Sequence, residues 1–153
     1  MKYLAYGSNM DPKRMLIRGA PFTSRIHATL VGYSLKFNKT AASARAKKGE
    51  GKGNIKFDPT GISKVEGALY TIMEDGLNRL DQNEGYPEHY DRKEMDIYLD
   101  DGSKVKAWVY IAQPNMVAEG LKPTKEYLSH YLKGKDLLSS SYFQLLLKTE
   151  TLE

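Results

Sequence analysis

The chain has no cysteine, a single tryptophan and only three histidines. Without cysteine there is no disulfide framework, no thiolate nucleophile, no Cys-ligated zinc and no iron–sulfur cluster. That composition is compatible with a reducing cytosol. The longest apolar runs fall far short of the roughly 18 residues that cross a bilayer. The amino-terminal Met1-Lys2-Tyr3-Leu4-Ala5-Tyr6-Gly7 has too short an apolar run for a signal peptide. The histidines, His27, His89 and His130, contain no His-x-x-x-His pair, so no metal site is expected. These absences predict a soluble, cytoplasmic protein that does not span a membrane.

With 153 residues, the chain suits one domain spanning 1–153. A chain of that length buries about two-thirds of its unfolded surface and needs no covalent staple. Lys and Arg number 23 against 19 Asp and Glu, a net +4. The excess lies between Arg45 and Lys56, where Arg45, Lys47, Lys48, Lys52 and Lys56 face Glu50 alone among Gly49, Gly51 and Gly53. Such a stretch reads as a mobile, solvated loop. A nucleic-acid-binding module built on it is disfavoured by the small net charge and the lack of an RNA-binding motif.

Local patterns give an element order. Lys2–Tyr6 reads as a strand running into a turn at Gly7-Ser8-Asn9. Asp11-Pro12 starts a helix, with Met10 and Met15 spaced to staple it, and Gly19 ends it. Strands are expected over His27–Asn38, Asn54–Phe57 and Val65–Met73, then a helix over Glu74–Glu84 stopped by Gly85. Tyr90–Leu99 and Lys104–Ala112, joined by Asp100-Asp101-Gly102-Ser103, form a hairpin. Helices follow over Pro123–Lys133 and Ser139–Lys148. The order β-α-β-β-β-α-β-β-α-α lacks the alternation of a doubly wound sheet. It predicts an α+β fold with a mixed, largely antiparallel sheet curled into a barrel.

Two constellations carry chemistry. In Tyr6-Gly7-Ser8-Asn9-Met10, glycine admits positive φ and Asn tolerates the left-handed region, so successive N–H groups can converge on an anion. Ser8 lacks the Gly-x-Ser-x-Gly setting of a nucleophile elbow, and no histidine is spaced to pair with it. In Leu80-Asp81-Gln82-Asn83-Glu84-Gly85, Glu84 shares a helix face with Leu77 and Leu80. It also sits in the last turn, where the helix dipole opposes negative charge. Both effects raise a carboxylate pKa, as a general base near neutral pH requires. Tyr90 and Tyr127 read as half-buried aromatics near these motifs.

Tyr6-Gly7-Ser8-Asn9-Met10 with Asp81-Gln82-Asn83-Glu84-Gly85 resembles the γ-glutamylcyclotransferase-like (AIG2-like) family. The likeness continues through Gly53-Asn54-Ile55, Val65–Tyr70 and Pro123–Leu128. It implies a small mixed β-barrel flanked by helices, with no metal and no organic cofactor. The implied activity, of lyase or acyltransferase type, converts a small-molecule γ-glutamyl amide into 5-oxoproline and a free amine. By position, Glu84 matches the family's catalytic acid. Tyr6, Gly7, Ser8, Asn9 and Met10 match its glutamyl-holding loop, and Tyr90 and Tyr127 match pocket-lining aromatics. Family members differ in leaving group, from amino acids and glutathione to γ-glutamyl-ε-lysine and an antibiotic precursor. Nothing in the sequence selects among them, nor between a monomer and a homodimer. A catalytically silent member is disfavoured because both motifs are retained.

Overall fold

The structure, a computed structural model, describes residues 1–43 and 45–153. Strands β1 (Lys2–Ala5), β2 (Phe22–Val31), β5 (Lys64–Ile72), β6 (Tyr90–Tyr98) and β7 (Lys104–Ala112) close a barrel in the order β1-β5-β2-β6-β7. Only the β1–β7 seam is parallel; the other pairings are antiparallel. β3 (Tyr33–Thr40) and β4 (Gly51–Phe57) form a separate two-stranded sheet. The expected mixed, largely antiparallel barrel flanked by helices is therefore present.

Period-two alternation divides the strand residues between two cores. Leu4, Ala28, Leu30, Val65, Leu69, Ile97, Ala107 and Val109 pack into one cluster that draws on all five barrel strands. Tyr3, Ala5, Ala68, Tyr70, Ile72 and Tyr110 point the other way, into the cluster where the helices dock.

The helices begin at or within two residues of the expected starts, the third at Lys125 rather than Pro123. In α1 (Pro12–Ile17) Asp11 accepts from the Lys13 amide at 3.1 Å, and Met10 and Met15 are both fully buried in the same cluster. α2 (Glu74–Glu84) carries Glu74 and Asp75 in its first turn and stops at Gly85, whose φ is +67°. Thr124 caps α3 (Lys125–Leu132) and Ser139 caps α4 (Ser140–Leu147), each hydroxyl accepting an amide hydrogen bond.

The expected strand over His27–Asn38 is two strands in different sheets. It breaks at Gly32, whose φ of +87° only glycine adopts without strain. β4 starts at Gly51, inside the stretch read as a solvated loop, because its glycines admit close approach. A Cβ on Gly51 would lie 2.0 Å from the Phe37 carbonyl oxygen, and one on Gly53 2.0 Å from the Tyr131 hydroxyl. Arg45, Lys47, Lys48 and Lys56 are exposed as expected, but Lys52 is not.

Gly67 in β5 faces the end of β1, where a Cβ would meet the Ala5 carbonyl oxygen at 2.4 Å. Gly67→Ala is expected to lower unfolding stability by about 1–3 kcal/mol, the range for an overpacked core, in denaturant titration. An unchanged midpoint would show that the β1–β5 contact yields freely.

Candidate active site

A cavity of about 450 Å³ opens where the end of β1, α1, the end of α2, the β3–β4 sheet and α3 meet. Its floor is the turn after β1, a single 3-10 turn at Ser8–Met10 closed by Met10 N–H to Gly7 O at 3.0 Å and Asp11 N–H to Ser8 O at 3.2 Å. Among the described residues the amides of Gly7, Ser8 and Asn9 donate to no protein acceptor. Gly7 does not use positive φ, as the sequence suggested; its φ is −118°. The need is for space, since a Cβ there would stand 3.1 Å from the Tyr131 hydroxyl. Asn9 likewise stays outside the left-handed region.

Glu84 lies across from this turn. The face carrying buried Leu77 and Leu80 brings its side chain inward, leaving it 19% exposed. Its Oε1 accepts from Arg18 Nη1 at 3.3 Å and, more loosely, from Asn9 Nδ2 at 3.5 Å. Arg18 also donates to Asn9 Oδ1 at 3.1 Å, and Asn9 Nδ2 donates to the Tyr3 hydroxyl at 2.9 Å. Oε1 is thus fixed, while Oε2 has no hydrogen-bond partner among the described residues. Burial pushes the Glu84 carboxyl above the ordinary glutamate range. The positive charges of Arg18, Arg14 and Lys39 pull it down without cancelling that effect.

Tyrosines build the walls. Tyr6 donates to the Tyr110 carbonyl at 2.7 Å and Tyr90 to the Gly53 carbonyl at 2.6 Å. The Gly53 amide donates to the Tyr127 hydroxyl at 2.9 Å, which lies 3.3 Å from the Tyr131 hydroxyl. Burial raises the pKa of Tyr6, Tyr90, Tyr127 and Tyr131, so these hydroxyls remain neutral.

Of the residues singled out in the sequence, Tyr6, Gly7, Ser8, Asn9, Glu84, Tyr90 and Tyr127 all line the cavity. Met10 does not; it is fully buried in the helix-docking core beneath the turn. The structure adds Tyr3, Arg14, Arg18, Lys39, Lys52 and Tyr131. Arg14 and Arg18 were within reach of sequence reasoning, being four apart where Arg14 lies in α1 and Arg18 caps its end. A chain of contacts positions Arg14: His130 Nδ1 lies 2.9 Å from Asp11 Oδ2, and its Nε2 lies 3.3 Å from Arg14 Nη1. Among the described residues no three His, Asp or Glu side chains come together as a metal-holding group.

A closed mixed barrel with a second two-stranded sheet and flanking helices is the architecture of the γ-glutamyl cyclotransferase fold class. The sequence pattern described as "Gamma-glutamyl cyclotransferase, AIG2-like" matches residues 3–129, and the chain belongs to that family. A protein of Methanocaldococcus jannaschii, provisionally named gamma-glutamylcyclotransferase MJ1514, is 43% identical over 49 residues. That match covers 32% of this chain and 41% of the relative, less than half of either. A solved structure titled "Gamma-glutamyl cyclotransferase" superposes with a TM-score of 0.84 at 24% identity, covering 100% of this chain and 89% of its own. A yeast structure, titled as a cyclotransferase specific to glutathione, superposes at 0.63 with 14% identity, covering 97% of this chain and 96% of its own. No helix among the described residues is long and apolar enough to cross a membrane.

Arg18→Gln removes the nearest positive charge from Glu84. The Glu84 carboxyl is then expected to titrate at still higher pH by carbon-13 NMR. An unmoved or lowered value would mean that Arg18 does not set the ionisation of this acid.

Proposed function

We propose that this chain, as one domain over residues 1–153, is a γ-glutamyl cyclotransferase. Its substrate's own α-amine attacks the γ-glutamyl amide carbonyl, releasing 5-oxoproline and the amine. The observation that carries this reading is the pairing of Glu84, held by one oxygen at the cavity wall, with the unpartnered amides of Gly7, Ser8 and Asn9.

The reaction supplies its own nucleophile. Intramolecular attack by well-aligned groups removes on the order of 7 kcal/mol or more of barrier. The α-ammonium loses two protons in becoming the lactam N–H, and the departing nitrogen gains two in leaving as an ammonium. A carboxylate that alternates between its two protonation states carries both. Glu84 fits that role because its raised pKa brings the acid and base forms closer in energy near neutral pH. The amides of the turn hold negative charge, either the tetrahedral oxyanion or the substrate α-carboxylate. Tyr6, Tyr90 and Tyr127 enclose the glutamyl chain, with hydroxyls that stay neutral.

Glu84→Gln is expected to lower kcat for 5-oxoproline release by about 10²–10⁴-fold, the usual share of general acid–base catalysis. The thermal midpoint should hold or rise, because a buried ionisable group is replaced by a neutral amide. A variant with near wild-type turnover would remove Glu84 from the mechanism. In the wild type, kcat/KM should climb with pH as Glu84 loses its proton, with its acid limb above the ordinary glutamate value of about 4.3. An acid limb at or below that value would contradict the raised pKa.

A further inference from the structure

Two arginines line the cavity beside the turn, and they are held differently. Arg18 is occupied by the site itself, its Nη1 donating to Glu84 Oε1 and to Asn9 Oδ1. Arg14 makes a single hydrogen bond among the described residues, from Nη1 to His130 Nε2 at 3.3 Å. Its Nε–H is buried and meets no acceptor among those residues. Glu84 and Asp11 act on Arg14 through space, but neither carboxylate hydrogen-bonds it. Buried donors without an acceptor are rare in folded proteins, and in a cavity wall the missing acceptor comes from what fills the cavity. A guanidinium with unused donors is shaped to receive a carboxylate.

The hold on Arg14 is specific about the imidazole. A guanidinium only donates, so His130 Nε2 must accept from it. A neutral ring with Nε2 bare carries its proton on Nδ1, and Nδ1 lies 2.9 Å from Asp11 Oδ2. Asp11 is 7% exposed, and its other oxygen, Oδ1, caps α1 by accepting from the Lys13 amide at 3.1 Å. Burial opposes the charge on Asp11, but hydrogen bonds from His130 and the Lys13 amide outweigh it and keep the carboxyl below the ordinary aspartate range. Asp11 therefore remains an acceptor, and it selects the one neutral tautomer that can receive Arg14. The contact joins the start of α1 to α3, the helix that also carries Tyr127 and Tyr131.

Resting on the cyclotransferase reading, we propose that Asp11 and His130 are positioning residues that hold the Arg14 guanidinium at the cavity wall to receive the substrate's α-carboxylate. The amides of Gly7, Ser8 and Asn9 are then left for the oxyanion. The α-carboxylate does not change during the reaction, so Arg14 binds substrate and transition state alike. Losing that contact raises KM more than it lowers kcat.

Asp11→Asn separates positioning from architecture. Asn keeps an oxygen for the Lys13 amide, so the α1 cap survives. Its amide donor then faces Nδ1, the ring proton moves to Nε2, and two donors confront each other at Arg14. Nitrogen-15 NMR of His130 at neutral pH should show Nδ1 protonated and Nε2 bare in the wild type, and the reverse in Asp11→Asn. An imidazolium or the opposite tautomer in the wild type overturns the proposal. Calorimetry on protein carrying Glu84→Gln then compares γ-glutamyl-methylamide with γ-aminobutyryl-methylamide, which lacks only the α-carboxylate. The first should bind about tenfold or more tightly, the share of a hydrogen bond to a charged group. Adding Arg14→Gln or Asp11→Asn should bring that ratio toward one. Equal affinity for the two compounds, or a ratio that either substitution leaves unchanged, overturns the assignment. With Glu84 intact, Asp11→Asn should raise KM for γ-glutamyl-alanine and change kcat little; a loss confined to kcat counts against it. Failure of the wild type to release 5-oxoproline from γ-glutamyl-alanine and γ-glutamyl-methylamide would overturn the cyclotransferase reading instead. The tautomer and the binding ratio would still decide the role of Arg14.

Discussion

A carboxylate held out of bulk water is the constraint around which this molecule is arranged. Leu77 and Leu80 must be buried for α2 to dock, and the same helix face carries Glu84 inward with them. The helix end adds an unfavourable dipole. An acid so placed needs compensation, and it comes from two elements distant in sequence. Arg18 reaches it from just beyond α1, a helix started by Asp11 and fastened by Met10 and Met15. Asn9 reaches it from the turn that β1 delivers. The partners steady one oxygen without returning the acid to its ordinary ionisation, which is the condition the proposed proton transfers require.

Tyrosine side chains shape much of the cavity wall. A buried hydroxyl needs a partner, and Tyr6, Tyr90, Tyr127 and Tyr131 find theirs on the backbone or on another tyrosine. Gly7 and Gly53 are small because these hydroxyls press against them. The result is an enclosure walled in part by tyrosine rings with neutral polar tips, its formal charge concentrated on a few side chains. In such surroundings each charge acts more strongly than it would in water.

Much of this was legible before folding. Asp11-Pro12 and Ser139 marked helix starts, Gly85 marked a stop, and Leu77, Leu80 and Glu84 declared a shared face. These signals act over one or two helical turns, within which chain neighbours decide the outcome. The same reasoning failed where a local pattern had two meanings. A glycine in a turn admits either positive φ or a close neighbour, and Gly7 serves the second purpose. The pattern over His27–Asn38 alternated across Gly32 without showing that the chain leaves one sheet for another there. A run of glycine and lysine suggested solvent, although Gly51 and Gly53 mark close packing and Lys52 faces the cavity.

The amino-acid sequence by itself determined the elements, their caps, the alternation that assigns β1 and β5 side chains to two cores, and the acid on the inner face of α2. Tertiary structure alone decided which charges meet that acid and which meet each other. Asn9 and Glu84 are 75 positions apart, Gly53 and Tyr127 are 74 apart, and the bulge that sets Lys39 opposite Lys52 is a matter of register. No periodicity encodes such meetings, because they arise from closing the barrel and laying the β3–β4 sheet and α3 around one cavity.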